Sequence, residues 1–166
     1  MPATPVLRTR TYAVAGATAT GVALALALTA CGGSDGSDGA KKSPASLSVD
    51  GAYLPRPAMD DMAAGFLTVR NTGDTADRLT KVTTPLSSDV TLHTTEGTRM
   101  KQVNSLDVPA GGELTLASGR THLMLGKLDH RPEVGEKVRF TLHFASSEPI
   151  EVDVPVKPTT YRPQHH

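Results

Sequence analysis

From Leu47 to about Val156 the chain is written in short runs whose apolar residues recur at every second position. Phe140, Leu142 and Phe144 alternate with Thr141 and His143, and Ile150, Val152 and Val154 alternate with Glu151 and Asp153. A period of two places one side of each run against a core and the other toward water, which is the pattern of half-buried strands. Further runs are Leu47–Val49, Ala52–Leu54, Gly65–Arg70, Arg78–Val82, Asp89–His93, Arg99–Val103, Glu113–Leu116 and Thr121–Leu125. Turn residues separate them at Asn71-Thr-Gly, Glu96-Gly97, Pro109-Ala-Gly-Gly112 and Pro132-Glu-Val-Gly135. No stretch keeps a helical period. The expected fold is all-β, an antiparallel Greek-key sandwich or barrel in one domain, residues 47–156. About 110 residues bury somewhat over 60% of the unfolded surface, enough for an aliphatic Val and Leu core.

The first thirty residues read differently. Arg8 and Arg10 precede an uncharged stretch, densest at Val22–Leu28, that closes on Leu28-Thr-Ala-Cys31. This is the layout of an export signal, residues 1–30, with Cys31 as the lipidated residue of a lipoprotein. The two arginines are separated by Thr9, so a twin-arginine signal is not supported. Residues 31–46, rich in Gly, Ser and Lys, read as a flexible tether, and residues 157–166 as a disordered tail. The expected location is extracytoplasmic, lipid-anchored to the cell membrane.

Cys31 is the single cysteine, so no intramolecular disulfide forms and no thiolate serves a site in the domain. Without residues 1–30 the chain carries 15 Lys+Arg against 17 Asp+Glu, which gives no basic face for nucleic acid. Aromatics are few and Trp is absent, which argues against a base- or sugar-stacking surface. No nucleophile–base order, phosphate-binding glycine loop or carboxylate pair emerges, and the chain reads as a non-enzyme, with a monomer expected.

The chemistry concentrates in two pairs. A hairpin centred on Glu96-Gly97 would oppose His93 to Met100, with Cβ atoms about 5 Å apart. His122 and Met124, one residue apart on a strand, point to the same side with roots about 7 Å apart. Each pair offers an imidazole and a thioether. Two neutral thioethers select a soft ion, Cu(I) above all. His93, Met100, His122 and Met124 are the candidate metal ligands. Blue-copper and CuA centres need Cys, so electron transfer is disfavoured and carriage of the ion is preferred.

Other candidates are weaker. His130 reads as a solvated loop residue and His143 as an outer-face residue. Met59 and Met62 read as core and rim packing, with a supplementary soft-metal patch as the alternative. His165 and His166 are a candidate for loose capture of Cu(II).

Met100-x21-His122-x-Met124, with a histidine upstream at a strand end, resembles the bacterial copper(I) chaperones of the PCuAC family. The surrounding Leu92-His93, Met100-Lys-Gln-Val103, Val108-Pro-Ala-Gly-Gly112, His122-Leu-Met-Leu125 and Gly135-Glu-Lys-Val138 are similar as well. The resemblance implies a cupredoxin-like fold, Cu(I) on those four residues, and delivery to the CuA site of cytochrome c oxidase or to another copper carrier. This chain departs from the family in having Thr94-Thr95 after the first histidine and only six residues before Met100. Two other readings stay open: a copper buffer without a dedicated acceptor, and a surface lipoprotein that binds a protein or small ligand through its loops.

Overall fold

The structure is a computed structural model that describes residues 41–163. The export signal, Cys31 and the His165-His166 tail lie outside the described residues. Ten strands form: β1 Leu47–Pro55, β2 Met62–Asn71, β3 Asp77–Thr83, β4 Ser87–Glu96, β5 Arg99–Val103, β6 Leu106–Val108, β7 Glu113–Leu116, β8 His122–Leu128, β9 Lys137–Phe144 and β10 Ile150–Lys157. They pair in the order β5-β4-β8-β2-β1-β10-β9-β3-β6, with β7 also on β2. The path is not closed, so the sandwich form of the expectation holds and the barrel form does not. Nor is the pairing wholly antiparallel. β1 and β10 run parallel at Leu54↔Val156 and Pro55↔Lys157.

β2 and β1 belong to more than one ladder, and this folds the sheet over on itself. β2 pairs β8 through Met62–Gly65 and β7 through Leu67–Arg70. β1 carries a bulge between Asp50 and Tyr53, where Gly51 takes a φ of 58°. Such a bulge bends a strand, and glycine adopts that backbone without a Cβ penalty. Beyond it Tyr53 still pairs with Phe66, and from Leu54 on β1 meets β10. The two layers then face each other. Leu54, Leu67, Val69, Leu79, Leu123, Leu125, Phe140, Leu142 and Val154 are all buried to 2% exposure or less. Gly65 marks how closely the layers approach: a Cβ there would lie 3.1 Å from the Phe140 ring and 3.5 Å from Leu123.

Two polar anchors hold the edges. Asp77, buried at the start of β3, accepts hydrogen bonds from Arg78 N (2.7 Å), Ser146 N (3.0 Å), Ser147 N (2.9 Å) and Ser147 Oγ (2.6 Å), tying β3 to the β9–β10 turn. Burial pushes its carboxyl up, but the hydrogen bonds from Ser147, Arg78 and Ser146 together outweigh this and hold it below the usual aspartate range. Asn71, at the end of β2, does the same on the opposite side of the β2–β3 turn. Its Oδ1 accepts from Ser46 N and Gly73 N, and its Nδ2 donates to Thr75 O.

Both flanks of the domain are more ordered than the sequence reading allowed. Ser43 donates to Asp74 Oδ2 and accepts at its carbonyl from Thr75 Oγ1, so residues 43–46 of the expected tether are fastened to the β2–β3 turn. After β10, Thr159 donates to Arg56 O and the Tyr161 ring packs edge-on against Tyr53 at 5.0 Å. An aromatic contact of this kind stabilises a segment that composition alone marks as loose. Thr159 and Tyr161 thus make specific contacts with the domain.

Candidate metal centre

β4 and β8 are neighbours, and their register sets His93 directly opposite His122. The next row along pairs Thr91 with Met124, and the same row continues to Ala64 on β2. Residues paired across a sheet share a face, and every second residue along a strand returns to it. His93, His122 and Met124 therefore share the face turned away from the core, while Leu92, Leu123 and Leu125 fill the other side. The two imidazoles lie nearly parallel, with ring centroids 5.6 Å apart and planes 24° from each other.

Met100 sits differently from the sequence expectation. The β4–β5 ladder pairs His93 with Gln102 and Thr95 with Met100, so His93 does not oppose Met100. The turn is Gly97-Thr98, closed by the oppositely charged pair Glu96↔Arg99. Gly97, with a φ of 62°, takes the first central position, where a two-residue hairpin of the right twist wants a glycine. Placing it second shifts the register by two residues. A slip of two, unlike a slip of one, keeps each side chain on its own face. Met100 thus shares the histidine face, one row along and diagonal to His93, a separation of about 7–8 Å that long side chains can span. It is 63% exposed on the edge strand.

The hydrogen bonds of the imidazoles leave specific nitrogens free. His122 Nδ1 lies 2.8 Å from the Arg120 carbonyl, which can only accept, so Nδ1 carries the proton and Nε2 keeps its lone pair. Thr95 Oγ1 donates to the same carbonyl and fixes the Arg120 backbone. His93 Nε2 contacts Thr91 Oγ1 at 3.0 Å. Its Nδ1 is buried with no hydrogen-bond partner. Burial, and secondarily the neighbouring His122, hold His93 below the ordinary histidine pKa, so the ring stays neutral. The arrangement offers two imidazoles and two thioethers on one outer face. No cluster of three His, Cys, Asp or Glu side chains suited to a metal occurs among the described residues, so a harder ion has no comparable set here.

The remaining histidines are accounted for locally. His130 is exposed and bonds Glu136 at 3.0 Å, which raises its pKa above the ordinary histidine value. His143 is half-buried beside Thr83 Oγ1 at 3.2 Å. Met59 and Met62, expected in the core or at its rim, are instead 57% and 38% exposed, Met59 within the β1–β2 loop and Met62 at the first position of β2.

Comparison with known proteins agrees with this architecture. A relative from Leifsonia xyli subsp. xyli (strain CTCB07), named "Putative lipoprotein Lxx21020", is 34% identical over 107 residues, 61% of this chain. The match spans 64% of the length of that curated relative. The solution structure of CuI-DR1885 from Deinococcus radiodurans superposes with a TM-score of 0.60 at 31% identity, over 74% of this chain and 85% of that one. The apo PCuAC domain of PmoF2 superposes with a TM-score of 0.62 at 20% identity, over 72% of this chain and 97% of that one, and shows the fold alone. The family model described as "Putative lipoprotein LpqE-like" matches residues 47–156. The chain therefore belongs to the LpqE-like lipoprotein family, on a cupredoxin-like fold of the PCuAC type.

Proposed function

We propose that this protein is an extracytoplasmic copper metallochaperone, held to the membrane by lipid on Cys31, that carries one Cu(I) on His93, Met100, His122 and Met124. The observation that carries this reading is the His93–His122 pair: two stacked rings, one with a buried nitrogen that no protein group satisfies. A buried polar atom without a partner costs free energy, and a bound cation would offset it. The likeness to a structure titled as the Cu(I) form of DR1885 supports the same cargo. In this reading His93 binds through Nδ1 and His122 through Nε2, each ring steadied at its other nitrogen by Thr91 or the Arg120 carbonyl.

The ligand set suits transport rather than catalysis. Thioethers and imidazoles are neutral, so they favour the monovalent ion and bind it without the permanence of thiolates. Exposed Met100, on the edge strand, is the ligand an acceptor would displace first, passing the ion by stepwise exchange. The acceptor is a copper-accepting protein, such as the CuA-bearing subunit of cytochrome c oxidase or another copper carrier.

Anaerobic titration with Cu(I) tests the reading. Wild type takes one tightly held ion at the His/Met centre, and Met124→Leu and His122→Ala each weaken binding roughly 10-fold or more, the loss expected for one ligand at about 1.4 kcal/mol per decade. Unchanged affinity in both variants would reject the site.

A further inference from the structure

Four large hydrophobic side chains stand exposed among the described residues, and three of them are methionines: Met59, Met62 and Met100. Packing does not explain a thioether that faces water. Met100 belongs to the metal centre; Met62 has a place beside it. On β2, Met62 pairs with Gly126 and Ala64 pairs with Met124. On the other side of β8, Asp89 pairs with Gly126 and Thr91 with Met124. Met62 and Met124 therefore share the outer face in adjacent rows of neighbouring strands, at the diagonal separation of about 7–8 Å.

The floor between them is bare. Gly126 has no side chain, and the Asp89 carboxylate overhangs it, 3.4 Å from where a Cβ would stand. Ala64 and Thr91, the residues flanking Met124, are small. Two thioethers border an open patch with a carboxylate on its far side. Sulfur of this kind takes a soft monovalent ion, and the carboxylate favours a cation electrostatically without being a strong ligand for it.

We propose that Met62 and Met124, with Asp89 alongside, form a second, weaker station for a soft monovalent cation, adjoining the His/Met centre and sharing Met124 with it. The station rests on the carrier reading above for the identity of its cargo. An ion moves between the two by exchange alone: it keeps Met124, a bond to Met62 sulfur forms as those to His93, His122 and Met100 break, and its oxidation state does not change. Met62 thereby gives the centre a route along the sheet toward β2, away from the edge strand.

Silver(I), a redox-inert soft ion, tests this with methionine methyl groups labelled with carbon-13 in the whole protein, wild type and Met62→Leu. The first equivalent is expected to shift the Met100 and Met124 methyls. The second is expected to shift Met62 and leave Met59 in place, and Met62→Leu, a conservative change at an exposed site, should take up only the first. A Met62 methyl that stays fixed through two equivalents overturns the station. So does one that moves in step with Met59, as unspecific surface association would, or a Met62→Leu variant that keeps the second equivalent. Failure of Met100 to respond would defeat the carrier reading separately, and a Met62 shift coupled to Met124 would still support the station.

Discussion

Thr91→Val is a small change with a specific consequence. Thr91 Oγ1 lies 3.0 Å from His93 Nε2, while His93 Nδ1 is buried with no partner. An orphaned buried N–H is rarer than an under-used acceptor. The proton therefore sits on Nε2, donated to Thr91, and the lone pair sits on Nδ1. Valine keeps the shape of threonine but removes the acceptor. In the metal-free protein the lost hydrogen bond should cost about 0.5–1.5 kcal/mol. At about 4–8 °C per kcal/mol for a domain near this size, that lowers Tm by several degrees. With Cu(I) the effect is larger, because a partner that fixes ring orientation and tautomer is typically worth 10–100-fold in metal affinity. A competition titration against a chromogenic Cu(I) chelator measures this, and nitrogen chemical shifts of the imidazole report the tautomer. Thr91→Ser, which keeps a hydroxyl, should stay close to wild type in both. A Thr91→Val variant with wild-type affinity, or a wild-type ring with its proton on Nδ1, would refute the reasoning.

Two further outcomes follow from the charges. Asp77→Ala removes the acceptor of three backbone N–H groups and the Ser147 hydroxyl, and should destabilise by about 3 kcal/mol or more in denaturant titration. Asp77→Asn should cost less. Because the Asp77 pKa is lowered on folding, its stabilisation is present above the unfolded value of 3.8 and is lost as pH falls through the folded one; an acid transition unaltered in Asp77→Asn would contradict this. His93 acts in the same direction, at a higher pH. Its pKa is lowered from 6.5, so below that pH the unfolded chain binds the proton more readily and stability is withdrawn. Imidazole NMR on the metal-free protein should place its midpoint below 6.5, and a midpoint at or above that value would show the burial argument wrong.

The strands were legible wherever alternation ran for four residues or more. β5 and β7 begin and end where their sequence runs do. β6 was missed because Leu106-Asp-Val108 has only two apolar positions before Pro109, too few to show a period. The parallel β1–β10 contact joins residues about a hundred positions apart, and such pairing leaves no local mark on either strand. The same holds for the site. Its residue types and face could be read from alternation, whereas the adjacency of His93 and His122 depends on β4 lying beside β8, which no nearby residue encodes. The hairpin register hinged on whether Gly97 sits first or second in the turn. The order after β10 came from Tyr161 meeting Tyr53, a distant partner that a Pro- and His-rich stretch does not advertise.

The central claim is that side chains from β4, β5 and β8 converge on one monovalent ion. X-ray absorption on the Cu(I)-loaded protein reads that shell directly. The account predicts a reduced copper edge with two sulfur and two nitrogen neighbours, at about 2.3 and 2.0–2.1 Å if Cu(I) keeps distances like those of other first-row N/S sites, and loss of one sulfur in each of Met100→Leu and Met124→Leu. A shell of nitrogen and oxygen alone, or a sulfur count untouched by both substitutions, would contradict it.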